Sequence, residues 1–361
     1  MKASREKEIV DRKLRILIVD DSPTCREYLK YLFEKDGGFQ VVGTARDGLE
    51  AVSLALALRP DVITMDVLMP RLDGIQASRR ILEKAPIRIV IISDVWNTEE
   101  VRQTFAAMEM GVLASVQKPP GPASPGNEAA ARQLVRTVKL LAEIPVVHRW
   151  KGRERAPAAM ASPRPVSAAE NVSRRLVVVG ASTGGPPVLK TILSRLPANY
   201  PLPLLVVQHI SPGFLPGMIQ WLQKVCALRL RIATHGERLE PGTVYFAPDG
   251  THMVLGDAGE VALYDGPPEH GVRPSVSALF RSVANLCSRD AVAVLLTGMG
   301  RDGAQELKTL HDKGALTVAQ DEASCVVFGM PGEAVRLGAA QHVLDPEGIT
   351  DLLLKVVSDS R

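Results

Sequence analysis

The sequence lacks paired cysteines. Cys25, Cys226, Cys287 and Cys325 are its only four, widely scattered and without metal-ligand spacing. That excludes a disulfide scaffold and a cysteine-built metal centre, and it predicts buried thiols in a reducing cytoplasm. It lacks a long apolar run. The best stretch, residues 51–58, stops at Arg59-Pro60, so no bilayer-spanning helix is predicted and membrane insertion is not expected. It lacks strong charge of either sign: 43 Lys and Arg against 40 Asp and Glu leave +3, so no preference for a polyanion follows. Residues 1–13 are crowded with charges around no apolar centre, which argues against a signal peptide. Neither a helix-turn-helix pattern nor a basic recognition helix stands out, so nucleic acid is not an expected partner. No long internal repeat is present.

What is present is ordinary soluble-protein composition, 46% hydrophobic and 23% charged, over 361 residues. That length predicts two or three domains with real cores. Apolar strands are predicted at 14–20, 40–44, 62–66, 87–93 and 114–117, with helical periodicity between them, as at 26–35 and 48–58. Near-continuous apolar strands separated by helices indicate a parallel sheet covered on both faces. From about 144 to 175 the chain turns to Pro, Ala and Arg with little periodicity, which reads as a flexible basic linker. A second α/β pattern follows, with strands at 176–180, 202–208, 243–247, 291–296 and 315–319 and a last helix near 347–358. The expected fold class is therefore α/β, two doubly wound parallel-sheet domains joined by a flexible linker. The expected boundaries are 14–142, 143–174 and 175–361.

In the first half, charged and polar residues converge on strand ends. Asp20 and Asp21 end the first strand, Asp66 the third and Ser93 the fourth, and Lys118-Pro119 follows the fifth. In a doubly wound sheet, ligands bind outside the carboxyl ends of the strands. Clustered carboxylates need a cation, and Mg²⁺ suits a few carboxylates plus water and phosphate oxygens. A carboxylate beside Mg²⁺ and a lysine can act as nucleophile toward a phosphoryl group. Each residue alone has a plainer reading: Asp20-Asp21 as a helix cap, Asp66 as a turn residue, Lys118 as a surface charge. The conjunction carries the argument. The segments Ile18-Val-Asp-Asp21, Met65-Asp66-Val-Leu-Met-Pro70 and Val116-Gln-Lys118-Pro119 resemble a response-regulator receiver domain. The resemblance implies Asp66 as phospho-acceptor, Asp20, Asp21 and Asp66 with the Leu68 carbonyl around Mg²⁺, and Ser93 and Lys118 in support. It also marks two departures: Ser115 where receivers often carry an aromatic residue, and apolar Leu68 two positions after the acceptor.

In the second half, Gly180-Ala-Ser182-Thr-Gly184-Gly185 lies between a strand and a helix and fits the G-x-S-x-G pattern that exposes a serine at the top of a sheet. A Gly-rich turn there can instead bind phosphate, and on this segment alone hydrolase and nucleotide site remain open. A full G-x-G-x-x-G and a G-K-[ST] are both missing. Of the six histidines in this half, His209 ends the strand 202–208 and falls on the same sheet edge as Ser182. His270 lies in a Pro/Gly-rich loop, His311 on a surface helix, and His342 far downstream. Asp302 sits in the Gly-rich loop after strand 291–296, where it offers an orienting carboxylate or, more plainly, a helix cap. The order Ser, His, Asp departs from that of α/β-hydrolases.

The segments around Ser182, Val207-Gln-His209-Ile, Leu296-Thr-Gly-Met-Gly-Arg-Asp302-Gly, His270-Gly-Val-Arg-Pro-Ser275 and residues 319–332 together resemble the catalytic domain of the chemotaxis protein-glutamate methylesterase family, CheB. That resemblance implies Ser182 as nucleophile, His209 as general base and acid, and Asp302 as orienting carboxylate, with no cofactor for the esterase. It places Thr183 and Met299 beside the oxyanion region and Arg273 near the substrate cleft. It implies methyl-accepting chemotaxis receptors as substrate, deamidation of selected receptor glutamines, a CheA-type histidine kinase as phosphodonor, and an unphosphorylated receiver that blocks the cleft. The rival reading is a response regulator whose output domain binds a partner or a nucleotide without catalysis.

Overall fold

The computed structural model describes residues 12–93, 104–105, 107–108, 111–143 and 175–358. The chain divides into two compact units, Met1–Arg149 and Trp150–Arg361. Glu143, the first residue of the predicted linker, ends a helix; the rest of the linker, 144–174, lies outside the described residues.

The first unit is built on a five-stranded sheet. Its strands are β1 (Leu14–Val19), β2 (Phe39–Ala45), β3 (Val62–Met65), β4 (Arg88–Ser93) and β5 (Ala114–Gln117). The spatial order is β2-β1-β3-β4-β5, and every pairing is parallel. Ile16, Leu17, Ile18 and Val19 are all within 2% of full burial, as expected of a strand covered on both faces. Hiding each such side chain is worth roughly 1.5–3 kcal/mol. Helix α1 (Pro23–Asp36) is capped by Ser22, which accepts from Cys25 N–H. Asp20 and Asp21 are thus freed of the capping role that sequence alone allowed them. Helices α2 (Gly48–Leu58), α3 (Gly74–Lys84) and α4 (Asn127–Glu143) complete the described layers. The chain reverses direction across the sheet between β1 and β3, so the ends of those strands form a crevice.

The second unit has a seven-stranded, wholly parallel sheet of order β14-β13-β12-β6-β7-β9-β8. Its central strands are β6 (Leu176–Ala181), β7 (Leu204–Gln208) and β12 (Ala291–Leu295). The outer ones are β8 (Arg229–Ile232), β9 (Thr243–Phe246), β13 (Leu316–Gln320) and β14 (His342–Leu344). A two-stranded antiparallel hairpin, β10 (His252–Leu255) with β11 (Val261–Tyr264), stands apart from the sheet. Sequence patterning missed β8, β14 and this hairpin. They are three or four residues long, and β8 and β14 are exposed or half-buried throughout, so neither forms an apolar run. Helices α5 (Gly185–Leu193), α6 (Leu215–Gln223), α7 (Val276–Leu286), α8 (Ala304–Asp312), α9 (Met330–Arg336) and α10 (Pro346–Ser358) fill the connections. The direction reversal falls between β6 and β12, and a second crevice opens at their carboxyl ends.

None of the four cysteines is in a disulfide, but only Cys226 is fully buried; Cys25, Cys287 and Cys325 are half-buried. The expectation of buried thiols therefore holds for one of the four. Among the described residues no helix is long and apolar enough to cross a membrane.

Candidate active site

At the crevice of the first unit, one carboxylate oxygen from each of Asp20, Asp21 and Asp66 falls within 4.8 Å of the others. Asp20 and Asp66 are buried and Asp21 is exposed. Lys118 Nζ lies between the buried pair, 2.8 Å from Asp20 Oδ2 and 3.1 Å from Asp66 Oδ2. Burial pushes the Asp66 carboxyl up to about 6, against the pull of Lys118. Burial alone would lower the Lys118 ammonium, but its contacts with Asp20 and Asp66 outweigh that and hold it above the ordinary lysine range. Val67 N–H donates to Asp66 Oδ1 and Ser22 N–H to Asp20 Oδ1, which fixes both carboxylates. Ser93, at the end of β4, is 3% exposed, and its carbonyl accepts from Lys118 N–H. An all-oxygen donor set with one solvent-facing member fits Mg²⁺. Leu68 is 57% exposed, so the apolar departure there meets solvent.

In the second unit, β6 delivers Ser182 into a tight turn. Gly184 at φ 80° ends the turn, and α5 begins with Gly185 followed by Pro186 and Pro187. A methyl group at position 184 would lie 2.5 Å from Val326 Cβ, so glycine is required for space as well as for backbone angle. Ser182 N–H donates to the Thr297 carbonyl at 3.0 Å, which ties the turn to the loop after β12. Thr297 Oγ1 bonds the Thr183 carbonyl at 2.9 Å, and Thr297 N–H donates to buried Gln320 Oε1. His209 follows β7 directly, its N–H donating to the Ala181 carbonyl.

His209 Nε2 lies 2.9 Å from Asp302 Oδ2. Asp302 is 3% exposed and collects donors from the start of α7. Ser275 Oγ and Ser277 N–H donate to Oδ1 at 3.0 and 2.9 Å, and Val276 N–H donates to Oδ2 at 2.7 Å. Burial alone would raise the Asp302 carboxyl; the contacts from His209 and Ser277 overcome it and hold the group well below the usual carboxylate range. Asp302 thus satisfies a helix end, as its plainer sequence reading allowed. The helix is α7, though, while α8 just after Asp302 starts from Gly303 with no side-chain cap. The positive end of the α7 dipole also favours the anion.

Ser182 Oγ has no hydrogen-bond partner among the described residues, and there the backbone N–H groups of Thr183 and Met299 donate to no acceptor. Arg273 Nη1 donates to the Gly266 carbonyl at 2.8 Å. His270 is exposed, His311 bonds Thr317 Oγ1, and His342 lies on edge strand β14. Sequence reasoning missed Gln208, Thr297 and Gln320 as supports, and missed Ser275 and Ser277 as holders of Asp302. The available signals were a polar residue closing an apolar strand and a serine pair opening a helix. Buried His252 was also passed over; its Nδ1 accepts from Ser275 N–H at 3.2 Å and so steadies the α7 cap from behind.

These features define a class: an α/β unit with a carboxylate cluster and a lysine at its sheet crevice, followed by one with a serine, a histidine and an aspartate at its strand ends. The family model for CheB methylesterase matches residues 177–353, and that for the response regulator receiver domain matches residues 16–124. The protein-glutamate methylesterase/protein-glutamine glutaminase 4 of Geobacter metallireducens is 48% identical over 96% of this chain and 99% of its own length. The protein of the same activities from Nitrosospira multiformis is 48% identical over 96% and 98%. The crystal structure of the Thermotoga maritima CheB methylesterase catalytic domain is 37% identical, with a TM-score of 0.49, over 51% of this chain and all of its own. The chain belongs to the CheB methylesterase family, with a response-regulator receiver domain ahead of the catalytic domain.

Proposed function

We propose that this chain hydrolyses glutamyl methyl esters on methyl-accepting chemotaxis receptors, releasing methanol, and deamidates selected receptor glutamines, at a rate raised by phosphorylation of Asp66. The observation that carries the reading is the buried, anionic Asp302 at 2.9 Å from His209, at the strand end next to the Ser182 turn, in a chain whose relatives are named for these two activities.

Ser182 is the nucleophile, His209 the base and Asp302 its orienting partner. With Nε2 facing Asp302, Nδ1 takes the Ser182 Oγ proton as Oγ attacks the ester carbonyl. The free N–H groups of Thr183 and Met299 receive the developing oxyanion. The imidazolium then returns its proton to the departing methoxide, and methanol leaves an acyl-enzyme. His209 next deprotonates water, which attacks the acyl carbon and frees the glutamate carboxylate and Ser182. With glutamine the first leaving group is ammonia. The esterase steps need no cofactor. Arg273, tied to the Gly266 carbonyl, is assigned to the substrate cleft on the family resemblance.

In the first domain, Asp66 attacks a phosphoryl group carried by a CheA-type histidine kinase. Asp20, Asp21 and Asp66 would hold Mg²⁺, which offsets phosphoryl charge when bound. Lys118 and the Ser93 hydroxyl meet the transferred oxygens. The reactions belong in the cytoplasm, where the kinase and receptor tails are met. Domain limits of 14–142 and 175–361, with the linker between, accord with these two functions.

The test is methanol release from methylated receptor membranes by wild type and Ser182→Ala, with and without a small-molecule phosphodonor. Release that needs Ser182 and rises with the phosphodonor is expected. No release from wild type under either condition would overturn the esterase reading.

A further inference from the structure

Strand β7 is apolar from Leu204 to Val207, each fully buried, and then ends in Gln208, which is 4% exposed. Burying a carboxamide there is costly unless its bonds are met. Its Nε2 meets two acceptors, the Ser182 carbonyl and the His209 carbonyl, each at 2.8 Å. Only an amide NH₂ can face two carbonyl oxygens, so the orientation of the group is fixed by its partners. Its Oε1 is buried with no partner. That oxygen points at the first residue of α5: a methyl group on Gly185 would lie 2.2 Å from Oε1 and 3.1 Å from Gln208 Cδ.

One carboxamide therefore spans the backbone of two residues that arrive on different strands, and a glycine makes room for it. Buried polar groups left half-satisfied ask for a reason beyond stability. We propose that Gln208 is a positioning residue that sets the distance between Ser182 and His209, and that Gly185 is glycine to admit it. The inference rests on Ser182 as nucleophile and His209 as base. Neither Gln208 nor Gly185 touches substrate. Each bond fixes the carbonyl of a residue whose own side chain reacts, so the loss falls on proton transfer from Oγ rather than on binding.

The experiment uses the full chain treated with phosphodonor and compares Gln208→Met, Gln208→Ala, Gly185→Ala and the double variant Gly185→Ala/Gln208→Ala. Three quantities are read: kcat and KM for methanol release, the second-order rate of Ser182 labelling by a fluorophosphonate, and thermal unfolding. Gln208→Met keeps the reach of glutamine without its donors. It is expected to lower kcat and the labelling rate together, roughly 10- to 100-fold, with KM unchanged, since small misplacements cost that much. Gly185→Ala should show the same split. A methyl group at 185 would also lie 2.9 Å from Ala181 Cβ, so the double variant should keep the loss from that contact but lose less than the product of the two single losses. A Gln208→Met protein that labels and turns over like wild type overturns the inference, as does a double variant whose losses multiply. Should Gln208→Met not fold, Gly185→Ala decides on the labelling rate. A wild type that labels with fluorophosphonate yet releases no methanol sinks the substrate reading instead, and the labelling rates still decide the role of Gln208.

Discussion

Asp302 meets two partners with one carboxylate: His209 Nε2 at 2.9 Å and the first N–H groups of α7. Its carboxyl is held far below the ordinary value by donors that outweigh burial. The consequence for stability has a definite sign. A depressed carboxylate stabilises the fold fully above the unfolded pKa near 3.9 and loses that contribution as pH falls toward the folded value. Asp302→Asn should therefore flatten the stability of the second unit below about pH 4, as urea unfolding at stepped pH would reveal. The same variant should cut methanol release roughly a thousand- to ten-thousand-fold, measured at neutral pH. Legibility was uneven at this scale. The placement of Ser182, His209 and Asp302 beyond strand ends was readable because glycines and apolar runs flag it. The donors to Asp302 were not: they come from Ser275, Val276 and Ser277, whose sequence neighbourhood says helix start and nothing about which anion it will meet.

Among the elements, the long buried strands β1, β3, β6, β7 and β12 were all visible as apolar runs, with ends shifted by a residue or two. The edge strands β8 and β14 of the second unit were not, since they are exposed or half-buried throughout and tertiary pairing rather than an apolar run makes them. Helix starts brace the candidate residues in both units. Ser275 caps α7 by accepting from Ala278 N–H while donating to Asp302. Ser275→Ala should cost about 1 kcal/mol of cap and also slow ester cleavage, whereas Ser275→Thr should keep most of both; thermal melts and turnover on the same samples test this. At the start of α3, a methyl group on Gly74 would lie 1.8 Å from the Asp66 carbonyl oxygen. Gly74→Ala must then displace the backbone of Asp66, at a cost of typically 1–3 kcal/mol for such overpacking. The expected result is slowed phosphorylation by acetyl phosphate, seen as loss of labelled phosphate on Asp66.

For the molecule as a whole, two parallel sheets each present a direction reversal and each place their polar residues there. This repetition was legible from the alternation of strands and helices, and it explains why a residue's position at a strand end outranked its chemical type in the sequence reading. If Asp66 is the control point, Asp66→Asn should retain unstimulated methanol release and lose the response to phosphodonor. Release measured with and without acetyl phosphate separates the two; an Asp66→Asn protein that still responds would move the control elsewhere.

Strand β6 is bonded on one side by β7, which follows closely, and on the other by β12, which is separated from it by the whole intervening chain. Asp302 lies about 90 residues after His209. During translation that interval lasts on the order of 5–20 s. Through it the nascent chain holds a serine and a histidine with no carboxylate to orient them. On the proposed mechanism, chains that stall or are clipped before β12 lack that carboxylate, and hydrolytic competence reports that synthesis has passed residue 302.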